Sequence, residues 1–177
     1  MAALPNPPLL SEQEYRNTSY EPDVEFADGV LVRRNVGTQR HGLLQTILAI
    51  YLGRFRQAHR FQVFTETRLQ VRSGKNRIPD TMVVEVPYQK GDIVTDVPLI
   101  VIEVKSPDDT FDEITGKCLE YEALGVPNIL VMDPDNLRTW IFELKSLRLL
   151  SEASFELALP NGTLDLPLSE MLAEASA

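Results

Sequence analysis

With 177 residues, 44% of them apolar, the chain has enough material for one domain with a sizeable core, and its single cysteine, Cys118, excludes an internal disulfide. The Pro-rich residues 1–10 have no basic n-region and do not read as a signal peptide, and no apolar run is long enough to span a bilayer. The expectation is a cytoplasmic single domain over residues 1–177 with a flexible tail at 1–10, whose net charge of −9 argues at first sight against a nucleic-acid partner.

Ser11 is placed to cap a short helix to Asn17, with Glu12 and Glu14 in its first turn. Asp28-Gly29 supplies the turn of a hairpin from Val24 to Arg34. Thr38 caps a helix to about His59, with Leu44, Ile47, Leu48, Tyr51, Leu52 and Phe55 at helical spacing. A strand is predicted over 61–71, a turn at 73–76, a second strand over 78–86, a polar loop to Thr95, and a buried strand over 98–104. Asp108 or Asp109 caps a helix that ends at Gly125. A buried strand over 127–132 follows, then a hairpin of 137–144 and 147–150 across Lys145-Ser146. A short strand at 163–166 and a helix over 168–175 close the chain. This order gives an α/β or α+β sandwich on a mixed central sheet flanked by helices.

Asp80 and the Glu103-Val104-Lys105 triplet stand out because they end apolar, β-branched strands. Side chains alternate along a strand, so Glu103 and Lys105 share a face. Ionised groups in such strands are costly to bury unless they pair or bind a metal. Two carboxylates and a lysine converging there form a minimal metal-dependent phosphodiesterase site. Asp80 otherwise reads as a strand-end residue after Pro79, and Lys105 as a lysine stretched to solvent.

Charge is unevenly spread. Residues 31–77 hold ten basic residues and one acid, Glu66, a balance of +9 against −18 for the remainder. Such a segment is either a polyanion-binding face or a solvated helix face with a basic hairpin. Arg72, Lys75 and Arg77, beside the Asp80 strand, are the expected nucleic-acid contacts. Cys118 reads as core and His59 as surface.

The ordered set Glu25-Phe26-Ala27-Asp28-Gly29, His41, Arg77-Ile78-Pro79-Asp80, Glu103-Val104-Lys105-Ser106-Pro107, Lys117, Tyr121, Gly125-Val126-Pro127 and Met132-Asp133-Pro134 resembles the Uma family of restriction-endonuclease-like proteins, within the PD-(D/E)XK nuclease superfamily. Many relatives carry an apolar residue where this chain has Lys105. The resemblance implies a restriction-endonuclease-like core with a metal site. Asp80, Glu103 and the Val104 carbonyl are then the ligands of Mg²⁺ or Mn²⁺, and Lys105 positions the attacking water. Glu25, His41 and Glu66 are candidates for a remaining ligand. Lys117 and Tyr121, at i and i+4, share a helix face, and either point at the site or, for Tyr121, pack in the core. The expected activity is hydrolysis of phosphodiester bonds in nucleic acid, DNA first, with a homodimer as one allowed assembly. The alternatives are an inactive module on the same fold that binds nucleic acid or protein, and a purely structural interaction domain.

Overall fold

The computed structural model describes residues 9–35 and 37–177. Of the expected tail, residues 1–8 lie outside the described residues, and Leu10 is tied by its N–H to the Gly29 carbonyl at 3.0 Å. Ser11 and Glu14 form a reciprocal capping box on α1 (Glu12–Arg16). The first hairpin joins β1 (Glu25–Ala27) to β2 (Val30–Val32), with Asp28 and Gly29 both at positive φ. Thr38 caps α2 (Gln39–Phe55), which stops one turn short of His59 because residues 56–60 turn and Arg60 takes a φ of +55°.

The strand expected over 61–71 is two strands in different sheets: β3 (Phe61–Thr65) and β4 (Leu69–Arg72). Glu66 between them has a φ of +49°, a left-handed residue that the apolar alternation does not betray. β4 turns at Gly74 into β5 (Lys75–Arg77), and these pair with the first hairpin in a four-stranded sheet, β2-β1-β5-β4.

β6 (Thr81–Glu85), β7 (Ile100–Val104), β8 (Asn128–Asp133), β9 (Arg138–Glu143) and β10 (Ser146–Leu149) complete a six-stranded sheet with β3, in the order β10-β9-β8-β7-β6-β3. Within this sheet β7 and β8 run parallel, joined by a crossover helix, α3 (Phe111–Leu124), and the other neighbouring strands are antiparallel. Thr110, not Asp108 or Asp109, caps α3 in a second capping box with Glu113. Asp109 instead accepts the Ser106 N–H at 2.7 Å. The β9–β10 turn is Leu144-Lys145, both at positive φ, one residue before the expected pair. A strand not foreseen, β11 (Phe155–Leu159), pairs with β12 (Gly162–Leu166) ahead of α4 (Leu168–Ser176).

Alternation along β6 and β7 sorts the core. Val83, Ile100, Ile102 and Val104 pack toward α2, α4 and the β11–β12 hairpin. Met82, Val84 and Val101 pack toward Ile114, Cys118 and Tyr121 of α3. Asp80 and Glu103 fall on the α3 side by the same alternation. Burial pushes the Cys118 thiol up to about 12, as suits a core cysteine. His59 is half-buried, not on the surface: its ring lies 6.3 Å from Phe55 and 6.2 Å from Phe61. No described helix is long and apolar enough to cross a membrane.

Candidate active site

β6 and β7 are antiparallel with Thr81 opposite Ile102, so one further residue sets Asp80 opposite Glu103. Both side chains are 6% exposed. Asp80 closes the junction of the two strands: its Oδ2 accepts the Val104 N–H at 2.7 Å, and His41 Nε2 lies 3.3 Å from the same oxygen. Its Oδ1 takes the Arg34 guanidinium at 3.1 Å.

α3 supplies the partners of Glu103. Lys117 and Tyr121, one turn apart, both face the carboxylate: the Tyr121 hydroxyl donates at 2.6 Å, and Lys117 Nζ lies 3.5 Å away. Lys117 also reaches Glu25 Oε1 at 3.8 Å, so one ammonium lies between two carboxylates. Glu25, on β1, is fixed by Arg77 at 2.6 Å and by the Ile78 N–H at 3.3 Å.

Burial raises the Glu103 carboxyl above its ordinary value, with the Asp80 and Glu25 charges adding to the rise and Lys117 and Tyr121 opposing it. The Lys117 ammonium is raised, by Glu103 first, against the cost of burial. The Tyr121 phenol is pushed well up by burial. Burial alone would lower the His41 imidazole, but its contact with Asp80 wins and raises it.

The structure thus brings Asp80, Glu103, Glu25, His41, Lys117 and Tyr121 together, with Glu66 linked through Arg34 and Gln45. Lys105 makes no side-chain hydrogen bond to any of these residues. Its Nζ donates to the Ser106 carbonyl at 3.1 Å, and it forms no ion pair among the described residues. The Lys105 N–H still bonds the Met132 carbonyl of β8 at 2.8 Å, so it is the side chain, turned to the Ser106 carbonyl, that departs from the expectation. The basic triplet is also committed within the fold: Arg72 pairs with Asp28, Lys75 with Glu120, and Arg77 with both Glu25 and Glu120. Among the described residues of the basic tract, Arg33, Arg54, Arg56 and Arg60 have no carboxylate partner.

Arg34 and Gln45 escaped the sequence reading. Gln45 Nε2 bridges Glu66 Oε1 at 2.9 Å and the Asp80 carbonyl at 2.7 Å. Its spacing of four from His41 on one helix was the available signal. Arg34 lies in a coil between hairpin and helix, where no periodicity marks a residue. It lines two cavities that flank the carboxylates. One, of about 300 Å³, includes Glu25, Arg33 and Lys117. The other, of about 390 Å³, includes His41, Gln45 and Asp80.

A family model described as "Putative restriction endonuclease", Uma2, matches residues 12–170. No curated protein matches the chain. Among solved structures, the crystal structure of "a putative nuclease belonging to DUF820" from Anabaena variabilis superposes with a TM-score of 0.79 at 17% identity, covering 94% of this chain and 99% of that one. A complex of DrdV with DNA superposes with a TM-score of 0.43 at 17% identity, over 78% of this chain and 12% of that one. The mixed sheet flanked by helices is therefore a nuclease-type fold, and with the match running from α1 into α4 the chain belongs to the Uma2 family.

Proposed function

We propose that the protein is a divalent-metal-dependent phosphodiesterase acting on nucleic acid, with DNA as the preferred substrate. The observation that carries this reading is the pair Asp80 and Glu103, buried side by side at the end of the sheet with the Lys117 ammonium on Glu103. Carboxylate and carbonyl oxygens are the donors that Mg²⁺ and Mn²⁺ take, so Asp80, Glu103 and the Val104 carbonyl fit such an ion chemically. Among the described residues no three acidic, histidine or cysteine side chains form a ready-made cluster, so Asp80, Glu103 and the Val104 carbonyl would hold the ion with water as the remaining donor. When bound, the ion neutralises phosphate charge and lowers the pKa of a coordinated water.

The chain's own residues do the rest. The Val104 N–H and Tyr121 hydroxyl hold the two carboxylates in place. Lys117 offers N–H donors and positive charge where charge develops on the phosphate. Arg33, exposed and lining the cavity that holds Lys117, is the cation placed to meet a phosphate backbone.

One observation favours the inactive-module reading. Every carboxylate oxygen of Glu25, Asp80 and Glu103 already has a donor or cation against it. Incubating the protein with supercoiled plasmid and Mg²⁺ or Mn²⁺, with and without chelator, separates the two. The enzyme reading requires cleavage that chelator stops and that Asp80→Ala and Glu103→Ala abolish while still folding. Binding without cleavage in all conditions leaves the inactive module.

A further inference from the structure

Among the cations of the site, Arg34 has two partners of unlike exposure. Its guanidinium spans Asp80, 6% exposed, and Glu66, 44% exposed. The two oxygens of Asp80 also differ. Oδ2 is held by the Val104 N–H and His41, whereas Oδ1 has Arg34 alone. Glu66 is a prepared dock. Its backbone is fixed at positive φ, and Gln45 ties its Oε1 to the Asp80 carbonyl.

We propose that Arg34 is a resident cation that competes with the divalent ion for Asp80, and that Glu66 is the outer dock that keeps Arg34 paired when it lets go. This inference rests on the metal-site reading above. A guanidinium and a divalent ion on one carboxylate repel in a poorly solvated site, so one must leave. Leaving an arginine half-buried and unpaired is costly. The Glu66 contact removes that cost, because Arg34 keeps one carboxylate in either position. Asp80 is thereby neutralised when no ion is present.

The test is Mn²⁺ affinity by calorimetry on the full chain. Arg34→Gln is expected to bind Mn²⁺ about tenfold more tightly than wild type, since one charged hydrogen bond no longer has to be broken. Glu66→Gln is expected to bind more weakly. The double variant decides the mechanism: it should match Arg34→Gln, because Glu66 acts only through Arg34. If the Glu66→Gln loss is the same in both backgrounds, Glu66 acts through its field alone and the proposal is overturned. Equal or weaker affinity in Arg34→Gln overturns it as well. If Arg34→Gln does not fold, Arg34→Lys carries the test, because a lysine keeps the charge but lacks the fork that spans both carboxylates, and it should also bind Mn²⁺ more tightly. Asp80→Ala distinguishes the two levels. If it binds Mn²⁺ as wild type does, the metal site is misplaced and both ideas fall; if it abolishes binding and the cycle is additive, only the competition falls.

Discussion

The Tyr121 hydroxyl and Glu103 Oε1 are 2.6 Å apart in a region where the phenol is fully buried and Glu103 is 5% exposed. This bond links α3 to β7 and sets the direction of the carboxylate. Tyr121→Phe leaves a buried acceptor without its donor, at a cost of about 1–3 kcal/mol. The Glu103 carboxyl is already raised in the fold, so its ionisation penalises the native state at pH above that raised value and not below its ordinary 4.5. Losing the donor enlarges the penalty. Urea denaturation with chelator present should show Tyr121→Phe further below wild type at pH 8 than at pH 5; an equal gap at both would place the bond outside Glu103's titration.

Lys117 should matter more to cleavage than Lys105. Lys117 contacts Glu103 and Glu25, while Lys105 contacts the Ser106 carbonyl. Lys117→Met is expected to lower the single-turnover rate by about 10²-fold or more, the scale of removing one preorganised donor. Lys105→Met should cost less. A reversed order would return the water-positioning role to Lys105.

Arg77 and Arg72 belong to one basic hairpin yet should differ sharply. Arg77 pairs with Glu25, which is 2% exposed, and removing it leaves a buried carboxylate short of its partner. Arg77→Gln is expected to cost about 3–5 kcal/mol of stability in denaturant titrations. Arg72 and Asp28 are more than half exposed, and Arg72→Gln should not measurably change stability. On DNA, Arg33→Gln should lower the log–log salt slope by about 0.9, one phosphate contact. An unchanged slope would show that Arg33 faces only solvent.

His41 makes stability fall as pH rises. Its folded value lies above the ordinary 6.5, so its contact with Asp80 stabilises fully below that value and is lost as pH rises through the raised one. With chelator present, wild type should exceed His41→Gln most at pH 6, and the gap should shrink above neutrality. A gap that is constant with pH would mean that the imidazole acts only by packing.

Asp80 and Glu103 were legible in the sequence because ionised residues at the ends of apolar strands are anomalous. Lys117 and Tyr121 were legible as a shared helix face because their spacing is local. What stayed hidden is not written in a regular period. Glu66 at positive φ split a single alternating run between two sheets. Lys105 keeps its backbone bond to β8, but its ammonium turns to the neighbouring Ser106 carbonyl, a local choice that alternation does not encode. Arg34 found Asp80 across 46 residues from a coil, where neither charge count nor period selects one arginine.

The carboxylates and their partners draw on β1, the residue before β6, β7 and α3, and their contacts join residues from 14 positions apart (Lys117 and Glu103) to 92 apart (Lys117 and Glu25), so the set spans residues 25 to 121. No shorter stretch of the chain holds the set. During synthesis, Glu25, Asp80 and Glu103 are all made before Lys117 and Tyr121, so the carboxylates receive these two partners only once α3 is made and packed against the sheet. Such non-local closure is among the slower events of folding. The site is therefore gated by completion of the fold, so that a nascent or partly unfolded chain carries its residues without their arrangement.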